Sequence, residues 1–534
     1  MIVVVCSIVF SLLMIILANQ LAWGQPATPQ ELVTYEKNSG FIKEFVVPFE
    51  ELGLRGITTD LKGNVWFYHS TNLTGTLVMF DPNSGKFTQF SVKGETVADN
   101  PIINLASAQL AFDSNRNAVW FTDARTNSIG KLDVTSGQIN FAKIPTDSAG
   151  PMGITLSPDS NTVWFAEITG DNIASVNTES MEITEYPTGA ESGPALLTFD
   201  DSGILWVTLS FSNSVLRVDV QGLSSDNPST AITELKLSGQ DSFSPLGIAV
   251  SGGKVYVSDH GSSRVIVTDA GFINYVSYWT SPSIAFPATL PSQVVADKNG
   301  NIYFAQHGGN RISVIDEAGI MTEYEIPTGP LSTIVFIAAS DDGKVWFTEW
   351  ASNKIAYLDT SIAVSFSLQV GQNIPLTLDK SGPKSISVAL SSSNTAASPL
   401  SLSEVEIGLV GMTESGLGVT YEAQPPRVNL QDAKSVDSEI QVRAKEDARP
   451  GSYTAMVRAF AAEQDRLVVS RLLPVELNLD VLESASSQGN NAFQNQQTSG
   501  SIVQDVLRIG APLGAAGLIV FAIYRWKKAK KAHQ

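Results

Sequence analysis

Two of the four histidines share one motif position: His260 in DHGSSR and His307 in QHGGNR, each followed by glycine. An imidazole titrates near neutrality, so an equivalent pair suits proton transfer or service as a ligand pair. The residue before each histidine belongs to a second series, the last position of a recurring five-residue segment. That series reads His69, Asp123, Glu167, Leu209, Asp259, Gln306 and Glu349. Its four carboxylates, Asp123, Glu167, Asp259 and Glu349, are hard oxygen donors of the kind that hold Ca²⁺ or Mg²⁺. The competing reading is structural: acids beside turns that hydrogen-bond a neighbouring element. His69, Arg55 and Trp350 complete the candidate set as ligand contacts, with Trp350 offering a wall and Arg55 an anion contact. The chain has no phosphate loop, no G-x-S-x-G and no H-E-x-x-H.

The element that must position these residues is a repeat. A short β-branched and aromatic segment recurs as VWFYH (65–69), VWFTD (119–123), VWFAE (163–167), LWVTL (205–209), VYVSD (255–259), IYFAQ (302–306) and VWFTE (345–349). Its aromatics, Trp66, Trp120, Trp164, Trp206, Tyr256, Tyr303 and Trp346, lie 42 to 54 residues apart. That is the length of one four-stranded propeller blade. An apolar strand and a turn precede most copies, as in GITTDLKGN and GITLSPDSN. A turn residue follows each: Gly75, Asn127, Asp171, Asn213, Ser263, Asn310 or Asn353. Types that tolerate tight or left-handed turns dominate there. A third strand (SIGKLD, KIAYLD) and a more polar fourth (KFTQFSV, MEITEYPT) complete the unit.

Seven such sheets predict an all-β body, a seven-bladed β-propeller over 25–362, with the aromatics wedged between blades. The last unit has only three strands before the pattern changes. FIKEFVVP (41–48) reads as its missing fourth, predicted to pair with Lys354–Leu358 and close the ring. Closure removes exposed sheet edges.

From 363 to 482 the repeat gives way to alternating strands such as SISVAL, SEIQVRA and VELNLDV. These predict an immunoglobulin-like β-sandwich. With ARPGSYTAMVRA at a turn into a strand, the segment resembles Ig-like or CARDB-like accessory domains of prokaryotic surface proteins, for which a stalk role is expected.

The repeat itself resembles the virginiamycin B lyase (streptogramin lyase) family over roughly 41–360. The motifs that carry the likeness are W-F-[TA]-[ED], N-[KR]-I and T-E-Y-x-x-P-T, as in VWFTEWASNKIAYLD and MEITEYPTG. More broadly it is similar to NHL and SMP-30/gluconolactonase propellers. The resemblance implies a seven-bladed ring. It also implies an elimination that opens a cyclic depsipeptide, using Mg²⁺, a histidine and carboxylates at the mouth of the ring. In that family the histidines stand in P-H-G-I or P-H-A-I on the innermost strand. Here the corresponding places hold Arg55, Met152, Ala195, Leu246 and Ser292, none of them a neutral base at pH 7.

Composition and the chain ends set the compartment. Hydrophobic residues make up 43% and charged residues 16%, which fits a folded body rather than a disordered tail. The net charge is −19, and Arg508, Arg525, Lys527, Lys528, Lys530 and Lys531 concentrate positive charge at the C-terminus. The acidic remainder offers no basic stripe to a phosphate backbone, so nucleic-acid binding is not expected. Residues 2–17 are almost continuously apolar, with Ala22 and Gly24 ahead of Gln25 in signal-peptidase spacing. Residues 1–24 read as a signal peptide, with an uncleaved anchor as the alternative. The only cysteine, Cys6, falls inside it, which excludes disulfides and cysteine chemistry from a cleaved chain. A polar linker (483–504), an apolar transmembrane helix (505–526) and a basic cytoplasmic tail (527–534) follow the sandwich. Asn72-Leu73-Thr74 is a glycosylation sequon.

The expected protein is thus a single-pass cell-membrane protein with its body outside and its C-terminus in the cytoplasm. One face of its ring binds an extracellular ligand, glycan or protein. The alternative is a lyase or lactonase-like enzyme dependent on Mg²⁺ or Ca²⁺, with His260 or His307 as the base.

Overall fold

The structure is a computed structural model that describes residues 40–480. Outside the description within that span are 49–52, 71–74, 95–107, 224–230, 238–243, 283–287, 330–331 and short connections of the second domain. The signal peptide, linker, transmembrane segment, basic tail and Asn72 therefore lie outside the described residues. Among the described residues, no helix is long and apolar enough to cross a membrane.

Seven antiparallel four-stranded sheets form the ring. Blade 1 runs Leu54–Thr59, Val65–Ser70, Gly75–Asp81 and Lys86–Val92, and blades 2 to 6 follow the same order. Blade 7 takes Ile334–Ala339, Lys344–Glu349 and Lys354–Asp359 from one end of the repeat and Ile42–Val46 from the other. The closing register is Ile42↔Leu358 through Val46↔Lys354, the pairing the sequence predicts.

Each sheet is covered on both faces by its neighbours, which explains why the second strands are apolar without alternation. Ala118–Asp123 is buried at every position, whereas the outer strand Lys86–Val92 is largely exposed or half-buried. The aromatic of each second strand packs into the core of the next blade. Trp66 sits with Leu110, Val119 and Phe121 of blade 2, and Trp346 with Ile57, Phe67 and Val78 of blade 1. Three of these aromatics also hold the turn before them. Trp66 Nε1 donates to Asp60 (3.0 Å), Trp206 Nε1 to Asp200 (2.8 Å) and Tyr303 Oη to Asp297 (3.0 Å). The same aspartates accept backbone N–H groups inside their turns, as Asp60 does from Lys62 and Asn64 (both 2.9 Å). The turns after the second strands use left-handed residues: Asn127, Asp171, Asn213, Ser263, Asn310 and Asn353 have φ between 52° and 60°.

Beyond the ring, two sheets share one core that includes Leu368, Val388, Ile440, Ile407, Val457 and Leu477. One sheet has Phe366–Val370, Lys384–Ser392, Ser435–Ala444 and Val419–Gln424. The other has Val468–Leu479, Gly451–Glu463, Leu400–Val410 and Arg427–Val428, with Leu376–Leu378 at its side. This second sheet is continuous with blade 6, because Val468–Leu479 pairs with the outer strand Met321–Glu325. The region after the ring is thus joined to it by main-chain hydrogen bonds.

Candidate functional site

The inner strands meet around the axis where they begin. In six blades the pairing with the second strand shifts between the first and fourth residues, as at Leu54/Ile57, Pro151/Ile154 and Pro245/Ile248. A bulge of this kind re-aims a side chain. The residues at these shifts include Arg55, Met152, Ala195, Leu246 and Ser292, all at most 5% exposed. Adjacent strands approach so closely that a Cβ on Gly56 would lie 2.1 Å from the Ala108 carbonyl, and one on Gly247 2.2 Å from that of Ser292. Met152, Ala195, Leu196, Leu246 and Ile168 form one apolar cluster with Phe211 against it. Three of these five positions, Met152, Ala195 and Leu246, therefore build an apolar floor, whereas Arg55 and Ser292 are buried polar residues outside it.

Side-chain hydroxyls staple this floor together. Thr122 Oγ1 donates to Met152 O (2.9 Å), Thr208 Oγ1 to Leu246 O (2.7 Å) and Ser258 Oγ to Ser292 O (2.6 Å), each crossing to the next blade. Thr122 also accepts the N–H groups of Ala108 (3.2 Å) and Gln109 (3.0 Å). The sequence reading passed over these residues. Their signal is a Thr or Ser at the fourth place of VWFTD, LWVTL and VYVSD.

In three consecutive blades, 5, 6 and 7, the residue after the second strand is His260, His307 and Trp350. His260 and His307 are brought together, with ring centroids 6.2 Å apart and an edge-on angle of 67°. His260 Nδ1 lies 2.8 Å from Pro291 O. A carbonyl only accepts, so Nδ1 carries the proton and Nε2 keeps its lone pair. Neither His260 Nε2 nor His307 Nδ1 meets a partner among the described residues. Burial pushes His260 down to about 4 and His307 to about 3, the latter also lowered by His260 beside it. Both rings are therefore neutral at pH 7. Trp350 is half-buried, and its backbone N–H bonds Thr333 O (3.3 Å).

The other candidates do not join them. His69 is buried in blade 1, with blade 7 between it and His307. Arg55 is buried and feels Tyr68 and Asp123, its guanidinium lowered by burial to about 10.

The four carboxylates sit at equivalent strand ends but are engaged within their own blades. Asp123 accepts Arg125 Nη2 (3.0 Å) and Thr126 Oγ1 (3.0 Å), and Asp259 accepts Arg264 Nε (3.1 Å). Glu167 accepts Asn172 Nδ2 (2.8 Å), and Glu349 accepts Ser352 Oγ (2.6 Å). Burial raises Asp123 and lifts Glu167 to about 8, with Glu185 adding to the latter. Burial and nearby Glu44 raise Glu349. Glu167 Oε1 and Glu349 Oε1 have no hydrogen-bond partner among the described residues, but they lie in blades 3 and 7. A Ca²⁺ ion takes six to eight oxygens and Mg²⁺ an octahedron. Among the described residues, no three His, Cys, Asp or Glu side chains gather to hold a metal ion. The residues present do not fit the Mg²⁺ that the family resemblance implies.

Comparison with known proteins agrees with this ring. A family model described as "Virginiamycin B lyase family" matches residues 40–330. A streptogramin B lyase structure is 26% identical, covering 60% of this chain and 97% of that one at a TM-score of 0.49. A selenomethionine-substituted virginiamycin B lyase from Staphylococcus aureus is 23% identical, covering 60% and 98% at 0.49. A catalytically inactive variant of the S. aureus enzyme, solved with quinupristin, is 23% identical with the same coverage at 0.50. At 23% identity this last likeness speaks to the fold alone. No curated protein matches the chain.

Proposed function

This chain belongs to the virginiamycin B lyase family, and from that premise we propose that it is a membrane-anchored, extracytoplasmic propeller that binds a ligand at the mouth of its ring through His260, His307 and Trp350. One observation carries the reading. Three side chains with ligand-binding chemistry occupy the same place in blades 5, 6 and 7, and two of their ring nitrogens lack partners among the described residues. Neutral imidazoles offer a donor and an acceptor without charge, and an indole offers a flat apolar face. Beside the apolar floor, this set suits an uncharged, amphipathic ligand such as a glycan or a cyclic peptide.

Anchoring rests on the sequence: the leading apolar run, the C-terminal apolar run and the lysines after it. The region 363–482 is read here as an immunoglobulin-like sandwich.

A second reading, a lyase or lactonase-like enzyme, is favoured by one feature. A neutral His260 whose buried Nε2 keeps its lone pair without a partner among the described residues is a candidate general base. The carboxylates do not support a metal step.

Calorimetry on the full chain in detergent, with a panel of neutral glycans and cyclic depsipeptides, tests both readings. Binding should occur and fall at least tenfold in His260→Gln/His307→Gln. Unchanged affinity in that variant discards the site. Mass analysis of the recovered ligand separates binding from turnover. A thermal shift with Mg²⁺ or Ca²⁺ that disappears in Glu349→Gln would restore the metal-dependent alternative.

A further inference from the structure

The second domain reaches both blades that carry the histidine pair. Its Val410, Met456 and Leu472 enter a core with Tyr256 and Tyr278 of blade 5 and Phe304 and Met321 of blade 6. The contact fills the cleft between those two blades at the outer rim.

From there, a chain of buried contacts runs inward along each blade. In blade 5, Trp279 packs against Gly411 of the second domain so tightly that a Cβ there would lie 2.8 Å from the indole. Arg264 stacks on Trp279, its guanidinium 5.0 Å from the ring centroid. Arg264 also donates to Asp259 Oδ2 (3.1 Å) and Ser277 Oγ (3.2 Å), and Asp259 is the residue before His260. In blade 6, Glu323 lies opposite Ser470 in the ladder that joins the two domains. Its Oε1 accepts Gln306 Nε2 (2.8 Å) and Ser281 N (3.0 Å), and Gln306 is the residue before His307. Arg458 of the second domain and Glu323 act on each other electrostatically.

We propose that the second domain sets the relative placement of His260 and His307, with Arg264 and Glu323 as positioning residues and Met456 and Arg458 as the second domain's points of action. A packed seam is bistable rather than smoothly deformable, so a change at the rim moves the strand ends as units. The fold thereby links the C-terminal part of the chain to the mouth of the ring. Adjacency alone is not coupling, so the test must read the histidines themselves.

The inference rests on the histidine pair as the working part of the mouth. Its experiment uses no ligand, so its failure is separable from failure of the binding reading. Imidazole resonances of the full chain in detergent are assigned with His260→Gln and His307→Gln. They are then followed in Met456→Ala, in Arg458→Met and in Val442→Ala, a core truncation of the second domain in its other sheet. Met456→Ala and Arg458→Met should displace the His260 and His307 resonances and leave His69 in place. Val442→Ala should lower the unfolding temperature without moving the pair. Unmoved resonances in folded Arg458→Met, or equal displacement by Val442→Ala, would overturn the proposal. Should Met456→Ala fail to fold, Arg458→Met decides alone.

Discussion

At the scale of single residues, identical strand positions have diverged because their surroundings differ. Asp123 and Asp259 face arginines, whereas Glu167 faces Asn172 and Glu185. Burial without a cation keeps Glu167 protonated to about 8, against an ordinary value of 4.5. Below 4.5 both the folded and the unfolded chain hold that proton. Between 4.5 and 8 only the folded chain does, so this group's contribution to stability is lost as pH rises through that window. Glu167→Gln should therefore match the wild type near pH 4.5 and exceed it at pH 8 by on the order of 4 kcal/mol. Chemical denaturation across that range checks the sign, and a variant equally offset at both pH values contradicts it. The mouth histidines act oppositely. Their lowered values give stability that is present above 6.5 and lost on acidification toward about 4.

At the scale of elements, the ring depends on its closing seam. Glu44, fully buried in the strand contributed from the N-terminal side, accepts Lys354 Nζ (2.7 Å) and both Thr328 N (2.7 Å) and Thr328 Oγ1 (2.9 Å). Glu349 lies close enough to feel Glu44. Lys354→Met leaves two buried acids facing each other without a cation, and it should cost about 3 kcal/mol. Thermal unfolding measures this loss. Glu44→Gln/Lys354→Met should recover part of it, because the uncompensated charge is then gone. No recovery would mean that the lysine acts through packing rather than charge.

At the scale of the molecule, the second domain completes the outer edge of blade 6. A chain ending at residue 362 would leave Met321–Glu325 as an open edge and strip Val410, Met456 and Leu472 from the rim. Each of those side chains contributes about 2 kcal/mol of apolar burial. The shortened ring should unfold at a lower temperature and self-associate through the bared strand. Size-exclusion chromatography and calorimetry check this, and a monodisperse ring with an unchanged midpoint would show that the seam is dispensable.

The sequence alone determined the ring. Seven aromatic strands at blade spacing, left-handed turn residues after six of them, and a displaced fourth strand at 41–48 are local signals, and local backbone and packing preferences decide them. The pairing of His260 with His307 was legible for the same reason, since equivalent places in adjacent repeats become neighbours. Three features were decided by tertiary structure. The carboxylates are answered inside their own blades, the hydroxyls of Thr122, Thr208 and Ser258 staple the axis, and the second domain pairs with blade 6. Each depends on contacts between residues remote in the chain, or on burial that changes what a side chain is worth. A strand's pattern shows that it has an edge, but not which distant strand will cover it.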